Sequence, residues 1–363
     1  GKIYGEDEGQ LLSVETRRGA TVASRTDYTY VTSAEASLMP FPDVIGESAT
    51  EFADPFSVAA LRPMRGTLLT QDGNTFGSTV NAYDAFAHPL SVSKNNNLGY
   101  AKTDVTEYQH DFATWVIGAV KRQYNADTSM VMAQTDYNAQ MLPWKTYKFG
   151  KLQHIMSYWS DGNINTVTDG RGNTTWIGDY HRGMPRLVGY PATPEAPAGA
   201  SEAATVNDLG WITSLTDETG AKTCYTYDAM GRINSIVHPS ATQTGVCDTS
   251  RWVQTTIAFE FINTPEHGIA AGHWRAVRRN GPNAHTNTYY DAMLRPVLEE
   301  SLDANDVGNT LSQIVKRYDI KGQPVFQSYP QRGVDNAWSV TQGIRTAYDA
   351  LGRTTRVEQD SEH

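Results

Sequence analysis

A six-residue motif that recurs along the chain constrains its fold more than any other feature. Residues 227–232 read Tyr-Asp-Ala-Met-Gly-Arg, and residues 348–353 read Tyr-Asp-Ala-Leu-Gly-Arg. Looser copies occupy residues 290–295 and 318–323. A short motif that recurs in this way indicates a repeat architecture, in which each unit packs mainly on its neighbours.

The motif predicts a reversal of the chain. An Asp in the first turn position accepts hydrogen bonds from the backbone that follows it, and a Gly three residues later tolerates a positive φ. Units of this kind start at Asn207, Asp217 and Asp228, and the runs between them are strand-length and rich in Thr, Tyr and Ile. We predict that the repeat turns are formed by Tyr227, Asp228, Gly231, Arg232, Tyr318, Asp319, Gly322, Tyr348, Asp349, Gly352 and Arg353.

Composition favours β-structure in the rest of the chain. Charged residues make up only 19% of the 363 residues, whereas there are 19 Tyr, 8 Trp and 30 Gly. Aromatic and Thr-rich segments are typical of strands. Because no segment keeps a sustained helical period, we predict an all-β fold with little helix.

The motif copies divide the chain into two regions. Before about residue 145 the copies at 83–87 and 137–141 keep the opening Tyr but lose the Gly. We therefore predict a divergent repeat region at 1–145 and a clearer one at 146–363, continuous with each other. The chain starts without Met and stops shortly after a motif copy, so we expect it to be part of a longer protein.

Tyr-Asp-x-x-Gly-Arg flanked by Thr- and Tyr-rich strands resembles the YD repeat of bacterial Rhs proteins. Similar repeats occur in the shell components of insecticidal toxin complexes and in animal teneurins. The resemblance implies a β-hairpin ribbon that curls as an open spiral or partial shell. It also implies a secreted or cell-surface protein whose partners are the remainder of its own shell and a C-terminal toxic domain.

The charge balance excludes some classes of partner. The chain has 40 acidic and 30 basic residues, a net charge of −10. A nucleic-acid-binding protein needs a basic surface to displace counterions from phosphates, so we expect no nucleic-acid partner. No run of apolar residues is long enough for a membrane-spanning helix, so we expect no membrane insertion by this segment.

No catalytic, cofactor-binding or metal-binding residue is predicted. The sequence has no Gly-x-Ser-x-Gly elbow, no phosphate-binding loop and no His-x-x-x-His pair. His267 and His273 are close in sequence but lack further ligands of known position. Residues 161–163 and 169–173 are similar to calcium loops but lack the acidic ladder, which indicates plain turns. The terminal autoproteolysis motif common in shell-forming Rhs proteins is not found either, so we predict that the segment is not an enzyme.

The two cysteines leave two possibilities open. Cys224 and Cys247 bracket the best motif copy. They could form a disulfide in an oxidising compartment, or act as two unpaired, small hydrophobic side chains.

The preferred function is a non-catalytic structural segment of an Rhs-type exported toxin that forms part of a β-shell around a polypeptide cargo. The alternative is a cell-surface adhesin or carbohydrate-binding module, because the eight Trp residues could stack on sugars as glycan partners. A hydrolase built on dispersed Asp and Glu residues is the third and weakest hypothesis.

Overall fold

The computed structural model describes residues 10–42, 44, 45, 59, 60 and 62–360. The chain is 56% strand and 3% helix, and 25 of its strands form one open antiparallel sheet. The predicted all-β fold, an open ribbon of hairpins with little helix, is confirmed.

The strands of the N-terminal half are as follows: β1 Ser13–Arg18, β2 Thr21–Tyr30, β3 Val44–Ile45, β4 Ala59–Ala60, β5 Met64–Gln71, β6 Asn74–Tyr83, β7 Pro89–Asn96, β8 Ala101–Asp111, β9 Val116–Asn125, β10 Val131–Tyr137, β11 Pro143–Lys148, β12 Lys151–Tyr158 and β13 Ile164–Asp169. The strands of the C-terminal half are as follows: β14 Thr174–His181, β15 Met184–Gly189, β16 Ser201–Val206, β17 Ile212–Thr216, β18 Lys222–Tyr227, β19 Ile233–Val237, β20 Thr255–Ile262, β21 His273–Asn280, β22 Ala284–Tyr290, β23 Pro296–Asp303, β24 Ser312–Tyr318, β25 Pro324–Ser328, β26 Gly343–Tyr348 and β27 Thr354–Gln359.

Helices are few and short in the described residues. Helix α1 spans Ser33–Ala36, α2 spans Val307–Thr310, and a single 3₁₀ turn spans Ala337–Ser339. Thr32 and Glu35 form a capping box at the start of α1. Among the described residues, no helix has the length and apolar character needed to cross a membrane.

The chain divides into two compact units. The first comprises Gly1–Ser157 with Val167–Asn173, and the second comprises Tyr158–Thr166 with Thr174–His363. The predicted division between residues 145 and 146 is based on how well each region keeps the repeat motif. The two compact units are defined by spatial contacts instead, so they do not test that division, and it stays a prediction.

The buried core of the first unit lies beneath its short helix. Val31, Ala36, Phe41, Val80 and Tyr83 form one apolar cluster. The rings of Phe41 and Tyr83 meet edge to face, with centroids 5.5 Å apart. The segment around α1 therefore covers part of β6, which buries side chains that a single-layer sheet would leave exposed.

The second unit has a larger core under two irregular segments. Val297, Leu298 and Val315, on β23 and β24, are at most 1% exposed. Ile269, from the β20–β21 connection, and Val334, from the β25–β26 connection, pack on them. These two connections, residues 263–272 and 329–342, thus cover one face of the sheet.

Connections in the second unit differ between the two edges of its sheet. Because consecutive strands pair antiparallel, all turns that follow an even-numbered strand share one edge. The motif turns after β18, β22, β24 and β26 lie at this edge, which we call the motif edge. Longer connections at residues 238–254, 304–311 and 329–342 leave from the other edge, which we call the variable edge. One long connection, residues 263–272 after β20, leaves from the motif edge.

Candidate functional site

The turn at Asp228 is built by its own backbone and carboxylate. The Asp228 N–H donates to the Arg232 carbonyl at 2.9 Å, and the Gly231 N–H donates to the Asp228 carbonyl at 3.0 Å. Oδ1 of Asp228 accepts from the N–H groups of Met230 and Arg232, each at 2.9 Å. The hydrogen bonds from Arg232 lower the pKa of the Asp228 carboxyl. The ionised side chain therefore fixes the reversal at neutral pH.

The residue before the motif's last position has a left-handed backbone. The φ angles of Gly231, Gly322 and Gly352 are 79°, 86° and 78°. Leu294 stands at the same place in a looser copy and adopts a φ of 57°. Its N–H still donates to the Asp291 carbonyl at 3.0 Å. The turn thus keeps its geometry without Gly, although the left-handed region costs a side chain about 1–2 kcal/mol.

The motif arginine connects its own turn to the next hairpin. Arg232 Nε donates to Asp228 Oδ2 at 2.7 Å, and its guanidinium lies 4.9 Å from the ring centre of Phe259 on β20. Arg295 lies at the same 4.9 Å from the ring of Tyr318 on β24. The Nε–Oδ2 bond has the same length in two further pairs, Arg295–Asp291 and Arg353–Asp349. Each cation–π contact stabilises by about 0.5–1 kcal/mol.

The motif tyrosine bonds to the preceding strand. The hydroxyl of Tyr318 donates to the Pro296 carbonyl at 2.9 Å, and that of Tyr348 donates to the Pro324 carbonyl at 2.9 Å. Pro296 and Pro324 each directly follow the previous motif copy, so these two motifs are each linked to the one before. We call this bond the tyrosine tie. Other ties join Tyr227 to Ile212 at 2.5 Å, Tyr83 to Met64 at 2.6 Å, Tyr137 to Val120 at 2.7 Å and Tyr180 to Ile164 at 2.7 Å.

Turns with the same backbone and side-chain hydrogen bonds recur where the sequence motif is degenerate. At Asn207, for example, the side-chain oxygen accepts from Leu209 and Trp211 N–H, each at 3.0 Å, with no charge on the side chain. The turn is present at Asp84, Asn138, Asp169, Asn207, Asp217, Asp228, Asp291, Asp319 and Asp349. An Asp or Asn side chain is common to these nine turns, although a turn with the same backbone hydrogen bonds also forms at Trp159.

In the first unit, a histidine replaces the motif arginine. His88 Nδ1 lies 2.9 Å from Asp84 Oδ2, where other copies place an arginine nitrogen. His110, on β8, places its Nε2 3.2 Å from the same oxygen. Burial opposes ionisation of Asp84, but the hydrogen bonds from His88 and Phe86 outweigh it and lower the pKa of Asp84.

These three groups have a spacing that a metal ion would accept, since their ligand atoms lie within 4.8 Å of one another. The hydrogen-bond pattern favours protons instead. Gly118 N–H donates to His110 Nδ1 at 3.0 Å, so the ring proton of neutral His110 sits on Nε2 and points to Asp84. A metal ion bound at Nε2 would require the ring proton to be on Nδ1. There it would face the Gly118 N–H, which is also a hydrogen-bond donor. We therefore interpret the group as a hydrogen-bonded turn.

A buried polar network surrounds Glu300 in the second unit. Glu300 is only 5% exposed. One carboxylate oxygen accepts from the Tyr289 hydroxyl at 2.9 Å and from Asn287 Nδ2 at 3.1 Å. The other accepts from Gln313 Nε2 at 2.6 Å and lies 3.2 Å from His267 Nε2. Burial, with the charge of Glu300, raises the pKa of Tyr289.

The contacts of His267 determine its charge. Its Nδ1 lies 2.6 Å from the Val334 carbonyl, which can only accept, so Nδ1 carries a proton. Its Nε2 faces the Glu300 carboxylate, so a hydrogen bond there requires a second proton. We infer an imidazolium paired with a buried carboxylate. His273 Nε2 lies 3.6 Å from a different carboxylate, that of Glu266. The two histidines weighed above as a metal pair thus face different partners.

The two cysteines lie beside the variable edge. The structure places their sulfur atoms at bonding distance, with Cα atoms of Cys224 and Cys247 6.0 Å apart. That separation lies in the usual range for a disulfide. The bridge stays a prediction, and thiol titration of the denatured, unreduced protein tests it: two free thiols would rule it out.

Comparison with known families identifies one stretch of the chain. Residues 206–243 match the family model described as RHS Repeat. This stretch is similar to an RHS repeat. It contains the turns at Asn207, Asp217 and Asp228 and the tyrosine tie of Tyr227, so the predicted resemblance to Rhs proteins is confirmed there. A search of curated proteins gives no match.

The fold around residues 206–243 is shared with a solved toxin complex. The crystal structure of TcdB2-TccC3 matches with a TM-score of 0.55 at 12% identity, over 96% of this chain and 25% of that one. A Tc holotoxin pore from Photorhabdus luminescens matches over 90% of this chain and 19% of that one, with a TM-score of 0.39 at 11% identity. The chain therefore spans about a quarter or less of the structures it matches.

Neither titratable cluster was predicted from the sequence. For the first cluster a signal was present, because His88 follows Asp84 at the spacing of the motif arginine. For the second there was none, since Glu300 meets His267 and Val334 only through the folding of two long connections.

Proposed function

We propose that this chain is a non-catalytic structural segment of an Rhs-type exported toxin and forms part of a β-shell that encloses a polypeptide cargo. The tyrosine tie is the observation that carries the proposal. It links two motifs to the copy before them at the same position, Tyr318 to Pro296 and Tyr348 to Pro324. Such links suit a continuous wall built from many hairpins.

Two further observations support a structural role. The fold is that of a toxin complex, and residues 206–243 are similar to an RHS repeat. The titratable clusters at Asp84 and Glu300 have their polar groups satisfied by neighbouring side chains and backbone, which favours stability over catalysis. Secretion, the other shell segments and a C-terminal toxic domain as partners are parts of the same proposal.

Photocrosslinking tests the proposal because adjacent strand residues point to opposite faces of a sheet. A photoreactive amino acid is placed at Thr346 or, as the matched control, at Ala347, both on β26. The host is the longer toxin that we propose contains this chain. In a shell, only one of the two positions should crosslink to the downstream polypeptide.

Mass spectrometry of the crosslinked peptides gives the outcome. Crosslinks from one position to the downstream polypeptide support a shell with an inside and an outside. Equal crosslinking from Thr346 and Ala347, or crosslinks from neither, would contradict enclosure. Crosslinks only to host-cell surface molecules would favour the adhesin.

A further inference from the structure

An open cleft lies at the variable edge of the second unit. Its volume is about 930 Å³. Its walls come from the connection before β20, from β21 and the turn that follows it, and from the end of β23. The lining residues that carry chemistry are His238, Arg251, Trp252, Arg278, Asn280 and Asp303.

The connection that forms one wall is tied down at several points. Cys247 pairs through the backbone with Pro239 and lies at bonding distance from Cys224. Ser240 N–H donates to the Val246 carbonyl at 2.8 Å. These contacts hold the two ends of the loop at residues 239–247, directly before the lining residues Arg251 and Trp252.

The floor of the cleft orients Arg278. The hydroxyl of Thr255, a residue only 1% exposed, donates to Asn280 Oδ1 at 2.9 Å, and Arg278 Nε donates to the same oxygen at 3.2 Å. His238 Nε2 lies 3.1 Å from the Thr255 hydroxyl. Arg278 is thus fixed through Nε, and its two Nη atoms have no acceptor among the described residues. A pair of Nη atoms matches the two oxygens of a carboxylate.

The charge of the cleft opposes that of the chain. Within the described residues, neither Arg251 nor Arg278 has an acidic partner, in a protein of net charge −10. Asp303 also lines the cleft, where it accepts from Asn305 N–H at 2.8 Å through Oδ1. Two unpaired cations attract an anion, while one carboxylate oxygen of Asp303 remains suited to accept a hydroxyl.

An exposed aromatic face completes the lining. Trp252 is 54% exposed, and its neighbour Val253 is 57% exposed. An indole face exposed beside polar groups suits a ring with apolar C–H faces and polar edges. We propose that this cleft binds an acidic saccharide: Trp252 stacks on the pyranose ring, Arg278 and Arg251 bind its carboxylate, and Asp303 accepts a ring hydroxyl. This proposal does not depend on the shell function.

Calorimetry with the whole chain and a uronic-acid disaccharide tests the site. The expected result is saturable binding that the matched neutral disaccharide lacks. Trp252→Ala and Arg278→Gln should each weaken binding at least tenfold. Arg279→Gln is the control, because it removes the same charge from the adjacent position of β21, on the opposite face, and should leave the affinity within about twofold.

Each other outcome overturns the proposal. An equal loss from Arg278→Gln and Arg279→Gln would mean that only bulk charge attracts the ligand. Equal binding of the neutral disaccharide would remove the role of the arginines. Binding of a Glu-rich peptide in place of both sugars would assign the cleft to a polypeptide. Circular dichroism of each variant checks that lost binding is not lost folding.

Discussion

Replacing Glu300 with Gln should destabilise the second unit strongly, because it removes the buried carboxylate that pairs with the half-buried His267 imidazolium. Removing one partner of a buried ion pair costs about 3–5 kcal/mol. Gln keeps the shape of the side chain and one acceptor oxygen, so the lower end of that range, about 3 kcal/mol, is expected. The loss should concentrate where the network holds the 329–342 connection.

Hydrogen exchange of two backbone amides measures this loss of stability. Val334 N–H donates to Gln313 Oε1 at 2.7 Å, and Ala337 N–H donates to the His267 carbonyl at 2.8 Å. Both amides should lose protection when the network opens. A change of about 3 kcal/mol corresponds to a fall in protection of roughly a hundredfold.

Glu299→Gln is the matched control. Glu299 is the preceding residue on β23, so it points to the opposite face, where it pairs with Lys316 Nζ at 2.7 Å. An ion pair this exposed contributes at most about 1 kcal/mol. Equal loss of protection in both variants, or a neutral His267 tautomer in nitrogen NMR spectra of the unaltered protein at neutral pH, would refute the reasoning.

Three further substitutions and one control test the repeat turns by urea unfolding. Leu294→Gly should raise the free energy of unfolding by about 0.5–1 kcal/mol, because Gly adopts the left-handed backbone without a steric cost but loses more entropy on folding. Tyr318→Phe removes one tyrosine tie and should cost about 1 kcal/mol. Tyr225→Phe is the control, because the Tyr225 hydroxyl has no hydrogen-bond partner among the described residues. It should cost less than Tyr318→Phe, and equal losses of stability would contradict the role of the tie. Asp228→Asn tests pH dependence: hydrogen bonds lower the pKa of Asp228, so its stabilisation is present above the unfolded-state pKa and is lost as pH falls through the folded-state value. The variant should lose less stability than the unaltered protein between pH 6 and pH 3, and an identical loss would show that this carboxylate does not contribute.

Turn chemistry made the fold predictable from sequence, and long connections made the clusters unpredictable. An Asp or Asn followed by Gly signals a reversal locally, so the hairpins could be located from residues such as Asp228 and Asp349. The sequence argument put too much weight on Gly. Leu294 stands where other copies have Gly, yet the carboxylate of Asp291 accepts from Met293 and Arg295 N–H and holds the turn.

Neither the Glu300 network nor the saccharide cleft has a local signature. The network joins Glu300 to His267, Gln313 and Val334, which meet because two long connections pack on the same strands. The cleft likewise combines residues from four separate stretches between His238 and Asp303. Only the folded arrangement of the connections brings such residues together.

The separation of motif edge and variable edge has a consequence for how such chains can change. Tyrosine ties and motif turns fix strand ends at one edge, so a loop inserted at the other edge does not disturb the links between hairpins. The connection at residues 190–200, which follows β15 and lies outside the cleft, is therefore a natural place to graft a foreign peptide. An insertion at residues 291–295 would instead break a turn and its arginine contacts. New binding loops acquired at the variable edge would leave the ties and motif turns intact.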